Sequence, residues 1–247
     1  MSEVKITERR SAPKDAIMIM AFPDVGLVGV IAASHLIEEL NMTEIAYIDS
    51  ELLPPLVVLH DGLPHSSVRI FANGNLLLAI SETPIPGEII YPIVDALVEW
   101  GKGKNVKMMV SLSGMPAQDR QEMQELKVFA AASTSEILKT IEGKNVEILR
   151  EGYIVGPQAI MLQRTSNSGL SAMALMAQCF LNYPDPEAAA AVLKGFQTIT
   201  GVKVNVEKLL EKGEEIRLKV RDVMRRTQQE LQRQKKDQEF DVPLYVT

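Results

Sequence analysis

Asp24, Gly26, Glu82, Gly114 and Ser166 are the residues whose types and positions could line a ligand cleft. All five sit in polar or glycine-bearing breaks beside apolar runs of strand character. Open α/β sheets bind ligands in the crevice outside the carboxyl ends of their strands. The carboxylates near such ends (Asp24, Asp49, Glu51 and Glu82) are of the type that does acid–base work, although capping and solvation account for most carboxylates so placed. Gly26 and Gly29 bracket a tight turn, but no Gly-Lys-Ser/Thr follows, and the spacing fits neither G-x-G-x-x-G nor a Walker loop. They read first as close helix–strand packing and only second as a phosphate cradle. Residues 164–169, R-T-S-N-S-G, offer either an anion-binding loop or plain turn chemistry.

The remaining chemistry is thin. Three histidines, His35, His60 and His65, are too few and too scattered for a metal site of ordinary spacing. His35 reads as a satisfied structural residue in a helix. His60 and His65 flank the turn H-D-G-L-P-H and read as a solvated loop, with a His60–Asp61–His65 ligand cluster as the alternative. The one cysteine, Cys179, lies in an apolar segment and reads as a small buried thiol; alone it excludes an intrachain disulfide. No G-x-S-x-G elbow occurs. No cofactor-binding or metal constellation is expected.

These residues need elements to position them. Ala16 to Phe22 is a short continuous apolar run, as expected of a strand buried on both faces. After Pro23-Asp24 and the two glycines, Val30, Ala33, Leu36, Ile37 and Leu40 fall at 3- and 4-residue steps, one helical stripe. Further strands are expected at 43–48, 56–59, 67–72 and 76–81, the last two joined by the hairpin signal Asn73-Gly74. A helix should run from Pro86-Gly87 to about Gly101, followed by strands at 106–112 and 128–132 and a helix over 133–141. A short strand at 146–149, a helix from Pro157, a strand over 170–179 and a helix over 187–200 complete the body. This alternation predicts an α/β fold: three layers around a largely parallel sheet, spanning residues 1–203.

From Val204 the character changes. Val206, Leu209, Gly213, Ile216, Val220 and Val223 follow a 3,4 spacing, predicting one amphipathic helix over 204–239, roughly 50 Å long. Its first half should pack on the body or on a partner helix, and its polar second half should project into water. Beyond it comes an apolar tail, residues 240–247, F-D-V-P-L-Y-V-T. The chain carries a net charge of −6, but residues 216–236 alone carry +6 and leave −12 for the rest. An acidic body argues against nucleic-acid binding. No apolar run reaches the ~18–20 residues of a membrane span, and the first residues lack a signal-peptide core, so a cytoplasmic address is expected.

Four motifs in order, Ala21-Phe22-Pro23-Asp24-Val25-Gly26-Leu27-Val28-Gly29, Ser81-Glu82-Thr83-Pro84, the Gly152–Gly156 pair and the run from Leu175 to Pro186, resemble the archaeal proteasome assembly chaperones related to eukaryotic chaperone subunit 2. The resemblance covers about residues 12–235. It implies a fold similar to nucleoside phosphorylases without demonstrated catalysis, homo-oligomers, and binding to proteasome α subunits or the assembled α ring. Proteins that bind that ring commonly end in hydrophobic–Tyr–any residue, and the resemblance therefore marks Leu244, Tyr245, Val246 and Thr247 as partner-binding. Leu244-Tyr245 match the pattern; Thr247 extends it by one residue, or about 3.3 Å of extended chain. The expected function is thus a non-catalytic oligomeric protein that docks its tail on the α ring. The competing class is a small-molecule- or nucleotide-binding enzyme using the cleft.

Overall fold

The computed structural model describes residues 4–240, with side chains as far as Arg233. In chain order the strands are β1 (Lys5–Glu8), β2 (Ile17–Ala21), β3 (Thr43–Asp49), β4 (Val58–His60), β5 (Leu63–His65), β6 (Val68–Asn73), β7 (Leu76–Ser81), β8 (Met108–Pro116), β9 (Val128–Ala132), β10 (Glu147–Ile148) and β11 (Ser171–Cys179). The helices are α1 (Val28–Glu39), α2 (Gly87–Gly103), α3 (Ser135–Ile141), α4 (Pro157–Ser166), α5 (Pro186–Thr200), α6 (Glu207–Glu211), α7 (Gly213–Lys219) and α8 (Arg221–Phe240).

Nine strands form one sheet in the order β1-β3-β6-β7-β2-β8-β11-β9-β10, and β4 and β5 make a separate hairpin. Its centre, β7-β2-β8-β11, is parallel, as expected of strands joined by helical crossovers. Antiparallel pairing, including the Asn73-Gly74 hairpin, builds the β1-β3-β6-β7 flank, and β9 joins β11 antiparallel on the other side.

The central strands read as unbroken apolar runs because both faces are covered. In β2, Ile19 and Ala21 face one core while Met18 and Met20 face the other, the two-residue period of a pleated strand. The first core is closed by α1 and α5 through Val30, Ala33, Val192 and Phe196. The second is closed by α2 and α4 through Ile89, Ile93, Leu97, Ile160 and Met161. The fold is therefore α/β in three layers.

The C-terminal helix departs from expectation in two ways. It breaks at Lys212 and Val220, whose ψ angles open to 11° and 5°, so a single straight rod becomes three segments. Gly213, a weak helix former, follows the first break, and the β-branched Val220 occupies the second. The bends let the apolar stripe follow the body: Val204, Val206, Leu209 and Met224 all join the core beside α1 and α5. The second half lies along the body through residue 233 instead of projecting free, although Arg225, Arg226, Gln229, Gln232 and Arg233 remain exposed. Thr227 is buried, Gln228 donates to the Asn182 carbonyl at 2.9 Å, and Glu230 accepts from the Gly87 amide at 3.4 Å, at the start of α2.

Candidate functional site

At the carboxyl end of β2 the chain turns through Asp24 and a single 3-10 turn, Val25–Leu27, into α1. Gly26 and Leu27 both adopt left-handed backbone, φ 67° and 50°. The turn lies flush against β8 and the end of β11. A Cβ on Gly29 would stand 2.2 Å from the Leu112 carbonyl oxygen, and one on Gly114 would stand 2.4 Å from the Val25 oxygen and 2.5 Å from Cys179 Sγ. Asp24 Oδ2 accepts the Gly114 amide at 2.8 Å. Asp24, Gly26 and Gly114 thus do come together, but around space that the protein itself fills. The packing reading of Gly26 and Gly29 explains this geometry; a phosphate cradle would need open amides.

Burial dominates the chemistry left there. Asp24 as a residue is half-buried, yet its Oδ1 is buried with no hydrogen-bond partner. Burial pushes the Asp24 carboxyl up to about 8 against the opposing amides of Gly114 and Gly29. Burial likewise pushes the Cys179 thiol up, and the neighbouring Asp24 and Asp185 carboxylates add to it. A thiol held protonated is a poor nucleophile, in line with the expected buried, inert Cys179.

Sequence reasoning missed the strongest electrostatic unit beside this turn. Arg120, whose side chain is 4% exposed, donates through Nε and Nη2 to the fully buried Asp185 at 2.8 and 3.0 Å. Asp185 also accepts the Phe180 and Ala188 amides, both at 3.1 Å. The guanidinium reaches Glu187 at 2.5 Å and covers the Phe180 ring. Asp185-Pro186 at a helix start is a capping signal visible in sequence; nothing near Arg120 announced its role.

The other two expected cleft residues lie elsewhere. Glu82 follows β7, but its carboxylate turns to the antiparallel flank, where it meets the buried Arg69 and His60. Arg69 also donates to Glu44 at 3.4 Å, and Glu44 meets His65 at 3.2 Å and Arg9 at 3.0 Å. His60 and His65 are therefore not a solvated loop; their rings meet edge to face, and the cluster fixes the β4–β5 hairpin to the sheet. Asp61 sits at the hairpin tip with φ 51° and takes no part, so the His60–Asp61–His65 ligand set does not form. Arg69 Nη2 lies 2.8 Å from His60 Nε2, so the guanidinium, the ring and the Glu82 carboxylate meet at one point. Among the described residues no group of His, Cys, Asp and Glu could hold a metal ion.

Ser166 closes α4, at the amino end of β11 and so at the opposite end of the sheet from Asp24. Its hydroxyl donates to the Gln163 carbonyl at 2.9 Å. Arg164 and Thr165 are likewise helical rather than a loop, and Arg164 pairs with Asp95 at 2.6 Å. Asp24 and Ser166 lie at opposite ends of the sheet and so cannot line one cleft.

The open space near that edge is a groove of about 510 Å³ under α8. Pro54, Leu56, Pro84 and Pro86 form an apolar wall after β3 and β7, while Arg226, Gln229 and Arg233 line it from the helix. Leu244, Tyr245, Val246 and Thr247 lie outside the described residues.

Residues 18–224 match the PAC2 family. The chain belongs to the PAC2 family. Among solved structures, this PAC2 chain is similar to Pyrococcus furiosus PbaA, an archaeal homolog of proteasome-assembly chaperone. The two share 31% identity over 92% of this chain and 98% of that one, with a TM-score of 0.86. The fold is shared with Pyrococcus furiosus PbaB, an archaeal proteasome activator, at TM-score 0.75 and 23% identity over 90% and 99% of the two chains. An uncharacterized protein of Methanocaldococcus jannaschii is 29% identical over 94% of each chain. The PAC2 match spans the strand–turn–helix at Asp24, the Arg120–Asp185 pair and the helix as far as Met224.

Proposed function

We propose that this PAC2 chain is a non-catalytic, proteasome-associated protein that works as a homo-oligomer and presents its tail, residues 240–247, to the proteasome α ring. The observation that carries this reading is the likeness to PbaA, close in both sequence and shape over nearly the whole of both chains. Two features of this chain support it. The crevice where α/β sheets commonly take ligands is packed shut by Gly29, Gly114 and Cys179. The tail is apolar and follows a helix that is basic on its solvent side. Several tails on one oligomer raise avidity without strong single contacts.

The test is capture of α rings by the intact chain and by a chain lacking residues 240–247. The expected result is retention by the first and at least ~10-fold weaker retention by the second. Equal retention by both removes the tail from the mechanism, and retention by neither removes the ring as partner. The rival reading, a small-molecule or nucleotide binder, draws only on the orphaned Asp24 Oδ1. A thermal-shift screen with nucleosides, nucleotides and phosphate decides it: a shift of several degrees, lost on Gly26→Val, would replace the proposal above.

A further inference from the structure

We infer that the outward face of α8 is a docking surface for a carboxylate-rich face of a partner protein. At about 100° per residue, Arg221, Arg225, Arg226 and Arg233 fall within one arc of about 140°, with Gln229 and Gln232 between them. All six are exposed. The nearby acids do little to quench this face. Asp222 pairs with Arg225 at 3.6 Å, Glu230 is turned onto the Gly87 amide, and Glu187 and Glu214 both meet Arg217. Among the described residues Lys219, Arg221, Arg226 and Arg233 pair with no carboxylate. Residues 216–236 carry +6 on a chain whose remainder carries −12. A face of one sign, set on a body of the other, selects partners by charge.

Nucleic acids, anionic membranes and acidic proteins all carry negative charge, and the chemistry of the face separates them. A phosphate backbone needs a broad basic surface, whereas this one is a single helix wide and bordered by the acidic body. Residues 203–239 contain no Phe, Tyr or Trp on which a base could stack. A helix lying on a membrane inserts its apolar side, but that side of α8 is spent: Met224 is buried in the core and Val223 packs against it. A protein carboxylate asks for less. Guanidinium forks accept it bidentately, and the glutamines supply further hydrogen bonds without any apolar insertion. In sequence the helix leads directly into the apolar tail, so a partner that grips one meets the other.

That the partner is the α ring rests on the function proposed above; the basic face itself does not. The experiment compares the full chain with a charge-neutral variant, Arg221→Gln/Arg225→Gln/Arg226→Gln/Arg233→Gln, and a charge-keeping variant with Lys at the same four positions. All four are exposed, so thermal melts of the three chains should coincide. The first probe is poly-L-glutamate, immobilised, at ~50 and ~500 mM salt. The parent should bind at low salt and release at high salt, and the charge-neutral variant should lose at least ~10-fold in association rate. The charge-keeping variant should associate like the parent but dissociate severalfold faster, because an ammonium lacks the fork. Failure of the parent to bind, or equal binding by the charge-neutral variant, would overturn the inference. So would release by that variant from duplex RNA or phosphatidylserine vesicles that the parent binds as tightly. A salt-sensitive oligomer of the chain alone, abolished in the same variant, would reassign the face to contacts between copies. The same three chains are then run on α rings. If rings are captured at equal rates by all three, the basic face falls and the proposed function stands. If no chain captures rings while poly-L-glutamate behaves as expected, the face stands and the ring falls as partner.

Discussion

Asp24 and Gly29 set the energetics at the smallest scale, because one is a buried acid and the other a missing side chain. The folded-state value of Asp24, about 8, lies above its ordinary 3.8. A raised acid contributes its stability in full below the unfolded value, and that contribution is lost as pH rises through the folded one. Between about pH 4 and pH 8 the native chain should therefore lose stability relative to Asp24→Asn, by up to a few kcal/mol. Urea melts of both proteins at pH 5, 7 and 9 would read this as a gap that widens with pH and levels off above 8. For Gly29→Ala two effects compete. Alanine gains ~1 kcal/mol of helix propensity, but its Cβ would meet a backbone carbonyl at 2.2 Å, which no rotamer change relieves. Overpacking costs ~1–3 kcal/mol and more against rigid backbone. A net loss of about 2 kcal/mol or more in chemical denaturation is expected.

At the scale of elements, Arg120 ties the 3-10 turn at Arg120–Glu122 to the start of α5 through Asp185 and Glu187. Arg217 of α7 reaches the other oxygen of Glu187 at 3.8 Å, so one cluster spans three elements. Because Asp185 is fully buried, Arg120→Ala leaves an uncompensated carboxylate and should cost ~3–5 kcal/mol. Exposed pairs such as Arg225–Asp222 should cost under ~1 kcal/mol when broken. Equilibrium denaturation of both variants separates the two cases. The bends at Lys212 and Val220 have a similar logic. A straight helix would carry its stripe off the body, whereas three short segments keep Leu209 and Met224 in the core.

At the scale of the whole molecule, three layers hold a parallel centre whose carboxyl edge is sealed on one side by the α1 turn and roofed on the other by α8. In sequence, the tail follows the helix that forms this roof. Within the tail-docking reading, Thr247 carries Leu244-Tyr245 one residue beyond the hydrophobic–Tyr–any pattern. Deleting Thr247 from the 247-residue chain should strengthen α-ring capture by several-fold to ~10-fold, about 1 kcal/mol of one better-placed contact. Surface plasmon resonance on immobilised rings would measure it, and unchanged affinity would show that the register of the carboxylate is irrelevant.

What the residues determined alone was local: the buried strands from their unbroken apolar runs, α1 and α5 from their stripes, the Asn73-Gly74 hairpin, and the inert buried Cys179. These depend on neighbours within a few positions, where period and turn chemistry act directly. The ordered motifs from Ala21 to Pro186 also carried the family. Tertiary structure decided everything that depends on distant partners. It closed the expected cleft by setting Gly29 and Gly114 against backbone, sent Glu82 to Arg69 and His60, and placed Ser166 at the other end of the sheet. It bent the C-terminal helix back over the body and paired Arg120 with Asp185, 65 positions away. Charges and close packing act through space, and spacing along a chain does not encode which groups the fold will bring within a few ångströms.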